Sequence, residues 1–250
     1  MPPVGRNRLP QESASEREAI LGRLRHQLAL SRSLRASARS EQEQGQARQR
    51  LRAWQSDRLA RTHADLLADP QFGRAAQFFL SDLYGPTDHG KFDLEVERVV
   101  PVMSRLLPVA GLETVADAVE LDALSEVLDA AMVAALGSGI AALDGSAYAR
   151  AYRQVGRRSD RKRQIRLIAD LGQALARLTR QPFVAGALVM MRAPARLAGL
   201  GELQDFLQRG FDALKGMEQS DLFLERIVTR ELGLLEALFA GDDSPLDEPG

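Results

Sequence analysis

The sequence predicts an all-α chain: a compact globular bundle of about eight helices with a long N-terminal helical arm. Three observations carry that expectation. Apolar residues recur at three- and four-residue spacing, and no stretch alternates apolar with polar as a half-buried strand does. Aromatics make up only 5 % of the 250 residues while Ala, Leu and Arg abound, a mixture that favours helix over sheet. Gly and Pro punctuate the pattern at helix-length intervals.

The elements follow in chain order. Residues 1–15 are Pro, Arg, Ser and Glu without periodicity and are expected to be disordered. Residues 16–57 read as a basic helical arm, with Ile20, Leu21, Leu24 and Leu28 forming its apolar stripe. Residues 35–50 have almost no apolar side chain, so the arm either continues there as a solvated helix or frays near Gly45. A second stripe starts at Leu51 and Trp54 and leads into a globular domain over residues 58–240.

Asp69-Pro70 restarts the chain as N-cap and first helical residue. The densest aromatic cluster follows, and its helix ends at Tyr84-Gly85-Pro86. Phe92–Leu107 is apolar and helical in pattern, with a kink expected before Pro101. Leu112–Leu136 is a long Ala-rich helix ended by Gly137-Ser138-Gly139. A short helix with Tyr148 and Tyr152 comes next, and after Gly156 another opens at Ser159 or Asp160. Gln181–Met191 has no polar side chain from Pro182 onward, so it is expected at the centre of the fold, broken by Pro194. Glu202–Gly216 and Asp221–Ala240, the latter capped by Ser220, complete the domain. Residues 241–250 read as a disordered acidic tail.

Composition limits function. There is no cysteine, which removes disulfides, thiolate catalysis and cysteine-bound metals and fits a cytoplasmic location. The first residues lack the apolar core of a secretory signal. The longest apolar run, Phe183 to Met191, is about half what a membrane-spanning helix needs, so no transmembrane segment is expected. Net charge is −1 but unevenly spread: residues 1–61 hold 13 arginines against 6 acids, and the remainder is acidic. That split suggests a basic arm on an acidic body. Arginine outnumbers lysine 30 to 3, so arginine enrichment alone does not signal phosphate binding, and nucleic acid is not the expected partner.

Phe78-Phe79-Leu80-Ser81-Asp82-Leu83-Tyr84-Gly85-Pro86 resembles the "FFLxDLYGP" helix end of a family of uncharacterised proteobacterial proteins, treated as a domain of unknown function. Further similarity lies at Asp93–Pro108, Met190–Gly199 and Leu203–Phe211. The resemblance covers about residues 58–240. It implies an all-α body and assigns no catalytic residue.

Candidate sites are few. No catalytic residue is identified: there is no nucleophile elbow, no phosphate-cradling loop and no Glu-x-x-His pair. Glu95 and Glu97 point in different directions on a helix and do not make an acid pair. His89, Asp93 and Glu97 share a face, but this reads as a solvated helix N-terminus, and no metal site or cofactor is expected. Phe78, Phe79, Tyr84, Met103, Met190 and Met191, with His63, are the candidate lining of an enclosed apolar ligand site, haem being the specific case. Arg157, Arg158, Arg161, Lys162, Arg163 and Arg166 form a candidate patch for an anion or acidic partner, alternatively a solvated helix start offset by Asp160 or acids of a neighbouring helix. The leading expectation is a non-enzymatic interaction, adaptor or regulatory module that meets a protein partner or a second copy through the N-terminal helix. Small-ligand binding in the bundle comes second, and nucleic-acid binding through the arm third.

Overall fold

The computed structural model describes residues 10–83, 95, 97–101, 104 and 109–246. Ten α-helices lie among the described residues, and no strand. They are α1 (Pro10–Ser40), α2 (Gln42–Thr62), α3 (Ala64–Ala68), α4 (Gly73–Phe78), α5 (Val109–Leu136), α6 (Gly145–Val155), α7 (Arg158–Thr179), α8 (Val184–Leu197), α9 (Gly201–Leu214) and α10 (Ser220–Ala240). The all-α class is as the periodicity predicts. The helix count is higher than eight because the expected arm divides at Glu41 and a five-residue helix follows α2.

α5 is the element the others pack on. By length and composition alone it and the 3₁₀ turn after it, Val109–Ala142, would cross a bilayer. Here its apolar residues Leu112, Ala116, Val119, Leu128 and Met132 are buried against other helices, while its acids pair with arginines. Acids spaced along a helix and tied to cations of neighbouring helices are what a core helix carries.

The arm does not project. Ile20, Leu24 and Leu28 of α1 bury against Leu112, Ala116 and Val119 of α5 in one core cluster. Arg23 meets Asp117 and Glu120, and Arg35 meets Asp122 and Glu126, so contacts advance together and the two helices run in the same direction. The stripe expected to be exposed is thus part of the interior. The stretch over residues 35–50 does not fray: it continues as helix with most of its residues in solvent, and only Arg35, Ala38, Ala47 and Arg48 are buried. Only Glu41 leaves helical geometry, and a side chain on Gly45 would stand 3.0 Å from the Ala38 carbonyl oxygen, so the junction of α1 and α2 is tight.

Asp69 caps the following turn as expected, its carboxylate accepting from the backbone N–H groups of Gln71 and Phe72 at 2.7 and 3.2 Å. α4 runs into a π-helical turn over Phe79–Leu83. Phe72, Phe78 and Phe79 sit in the largest core cluster with Leu66, Leu167, Leu171, Leu214 and Phe223. Gly156 (φ 65°) and Arg157 (φ 54°) both adopt left-handed backbone between α6 and α7, a conformation that Gly accepts readily.

Four expected boundaries change. α1 begins at Pro10, inside the residues 1–15 expected to be disordered. Pro194 lies inside α8 and does not end it. Ser220 does not cap α10; its hydroxyl accepts from Arg180 at 3.1 Å. The acidic tail, expected to be disordered, is structured over the described residues 241–246: Ser244–Leu246 forms a 3₁₀ turn, Leu246 is buried beside Gly145, and Asp243 pairs with Arg153. Leu246 and the Asp243–Arg153 pair together tie the segment to α6.

Candidate functional site

Three arginines of α1 and α2, Arg35, Arg48 and Arg58, end in the interior. Arg35 and Arg48 come from the stretch with almost no apolar side chains, and together with Arg52 they converge on Glu126 of α5. Arg35 Nε donates to Glu126 Oε1 at 2.9 Å, Arg48 Nη1 to Oε2 at 2.8 Å and Arg52 Nη2 to Oε1 at 2.5 Å. Arg52 Nε also donates to Asp129 Oδ2 at 2.8 Å, and Arg35 pairs with Asp122. Burial alone would raise the Glu126 pKa, but Arg52 and Arg35 outweigh it and hold the carboxyl below its ordinary value. At Asp129 burial prevails and pushes the pKa up. A fully satisfied network of this kind fixes which helices meet and in what register.

A second buried cluster joins α2 to α10. Arg58 Nη1 donates to both oxygens of Glu231 at 2.6 and 2.8 Å, and His63 Nε2 lies 3.0 Å from Glu231 Oε1. Burial opposes ionisation of Glu231, yet Arg58 and His63 bring its pKa down to about 2. The buried Nδ1 of His63 has no hydrogen-bond partner. Next to it, Arg161 stacks 3.6 Å from the ring centroid of Tyr152, whose hydroxyl pKa burial raises. Tyr148 in turn stacks on Trp54 at 4.3 Å between centroids. These contacts rivet α2, α6, α7 and α10 together. They hold a carboxylate ionised but place no nucleophile on it.

The surface is distinctive at one place. α8, expected at the centre, is peripheral: Phe183, Val189, Met190, Met191 and Leu197 are all exposed. Only Ala195 of the helix is buried, with Val184, Ala185 and Leu188 half-buried. The Gln204 side chain reaches the Leu188 carbonyl at 2.9 Å and ties α9 to this inner side. An all-apolar segment does not identify which neighbour covers it, and among the described residues one side of α8 has none.

Among the described residues, the members of the expected apolar lining lie apart. Phe78 and Phe79 are core residues, His63 is held by Glu231, and Met190 and Met191 face solvent. Tyr84 and Met103 lie outside the described residues, as do His89 and Asp93. Among the described residues no group of three or more His, Cys, Asp or Glu is arranged to hold a metal ion. Glu95 and Glu97 do diverge. Glu95 accepts from the backbone N–H of Leu203 at 2.8 Å and so caps α9, while Glu97 pairs with Arg32 at 2.5 Å.

The basic patch is largely neutralised. Arg157 pairs with Asp160 at 2.6 Å, Lys162 with Glu236 at 2.7 Å, Arg163 with Glu120 at 2.8 Å, and Arg158 with Glu236. Arg161 is buried, its Nε donating to the Gly156 carbonyl at 3.2 Å. Arg166 is exposed. The compensating acids come from Asp160 and from helices α5 and α10, as the unfavourable charge at a helix start requires.

Residues 34–245 match the domain of unknown function DUF8198. The chain belongs to that family. The DUF8198 match begins inside α1 and crosses the arm–body boundary expected at residue 57, in keeping with an arm that packs on α5. No curated protein matches the chain, and no solved structure does. The family assignment therefore brings no reaction or ligand with it.

Sequence reasoning missed Glu126, Asp129, Glu231 and the acidic–basic pairing between them and α1–α2. A signal was present. Asp122, Glu126 and Asp129 recur at i, i+4 and i+7 in an otherwise apolar helix, and Arg48 and Arg52 recur at i, i+4. Matching faces of opposite charge on two helices point to each other.

Proposed function

We propose that this helical bundle is a non-enzymatic protein-interaction module and that the outer face of α8 is its contact surface. The observation that supports the reading is the run of five large apolar side chains left in solvent at one helix, where α7, α9 and α10 each expose one such residue, Leu178, Leu207 and Leu222, and less fully than any of the five. Soluble monomers rarely leave contiguous apolar patches beyond about 300–600 Å² open, and larger ones mark contacts with other molecules. The N-terminal helix is a poorer candidate for that contact, because its stripe is already used against α5.

The test is a photo-crosslinking side chain placed at Val189 in the full chain, in the cells that make it. A covalent protein adduct that disappears when Met190→Glu is added supports the reading. Absence of any protein adduct, with the protein folded, refutes it.

A further inference from the structure

The outer face of α8 has a pattern that suits one partner in particular. Phe183, Met190 and Leu197 are spaced seven apart and fall on one side of the helix, roughly opposite Val184, Leu188 and Ala195 on the inner side. Between the large residues stand Gly186, Ala187, Ala193 and Pro194, all exposed. Nothing lies within 4 Å of where a Gly186 side chain would be. No charged residue interrupts this face, although Arg192 and Arg196 flank it, and Arg196 is held by Asp205 at 3.2 Å.

We propose that this face pairs antiparallel with the same face of a second copy of the chain, around a two-fold axis at Met190. The proposal rests on the reading of α8 as a contact surface and names its partner. The sequence is self-complementary about that point. With Met190 opposite its own copy, Phe183 faces Leu197, and Gly186 with Ala187 faces Pro194 with Ala193. Large residues then meet in three layers, and small residues let the backbones approach between them. A two-fold contact requires this property of one patch, and an unrelated partner would not.

Area supports the same partner. Phe183 is 69 % exposed, Val189 68 %, Met190 76 %, Met191 53 % and Leu197 91 %. With full residue areas of roughly 150–200 Å², these five alone leave about 600 Å² of apolar surface in water. Stable specific interfaces bury about 800 Å² on each partner, and the intervening small residues make up much of the difference. The pairing adds no unpaired buried charge, the cost that usually opposes such contacts.

The absence of cysteine makes the test direct. Light scattering on the purified chain at micromolar concentrations should give twice 27.4 kDa. Met190→Glu sets two carboxylates against each other on the axis and should weaken pairing about 100-fold or more, with the helical circular-dichroism signal at 25 °C unchanged. Met190→Cys alone should oxidise to a cross-linked dimer. Phe183→Cys should do so only when combined with Leu197→Cys, and Arg192→Cys should not. A wild-type mass of 27.4 kDa at about 100 μM overturns the proposal, as does cross-linking by Phe183→Cys alone, which would mean parallel pairing. Flotation of a monomeric chain with anionic phospholipid vesicles, lost on Met190→Glu, would also overturn it and assign the face to a lipid surface. If the chain is monomeric but Val189 still crosslinks to another protein, the contact-surface reading stands and self-pairing falls.

Discussion

Replacing Glu231 by Gln tests the buried cluster between α2 and α10. The carboxylate receives two bonds from Arg58 and one contact from His63, and its pKa is about 2 against an ordinary 4.5. A folded-state pKa below the unfolded value means the ionised form stabilises the fold. That contribution is complete above about pH 4.5 and is lost as pH falls through about 2. The difference corresponds to about 3 kcal/mol at pH 7, in the range measured when one partner of a buried pair is removed. Urea denaturation of wild type and Glu231→Gln should therefore differ by about 3 kcal/mol at pH 7. The gap should narrow by about 2 kcal/mol between pH 5 and pH 3, because only the wild type binds the extra proton on unfolding at lower pH. A gap under about 1 kcal/mol at pH 7, or one that stays constant down to pH 3, would refute the reasoning.

The other expectations concern the interior and the tail. Glu126→Leu takes from the buried Arg48 guanidinium the carboxylate it donates to and should cost about 3–5 kcal/mol in the same assay. Adding Arg48→Met to Glu126→Leu should restore part of that loss, and a double-mutant cycle with no coupling would show that the pair does not act together. Leu246→Ala should cost about 2 kcal/mol, whereas a disordered tail would cost nothing; thermal melting distinguishes the two. Gly210→Ala places a methyl 2.9 Å from the Phe78 ring, and overpacking there should lower stability by about 1–3 kcal/mol.

What the sequence made legible was local. Helical class follows from spacing, and Asp69 as a cap follows from one Asp-Pro pair, because both are set by neighbours within a few residues. Placement was not legible, because it depends on partners far away in the chain. Arg35 and Arg48 look like solvent residues in their own segment, yet they are interior because Glu126, 91 and 78 positions later, receives them. α8 fails in the opposite direction. Its composition meets every criterion for a core helix, and its position at the edge depends on which faces α9 and α7 leave open. Met190 and Met191 therefore could not be sorted between lining and surface. From sequence His63 joins the lining of a ligand site, because the carboxylate that holds it lies 168 positions further on.

The union of α1 with α5 also sets a timetable for biosynthesis. The first helix leaves the ribosome with its leucines and arginines already translated, but the residues that receive Arg35 lie 91 positions downstream. At about 5–20 residues per second the nascent segment waits on the order of 5–20 s before its docking site exists. Throughout that interval Arg35 has no α5 carboxylate to receive it, and a charge that ends in the interior stands in water.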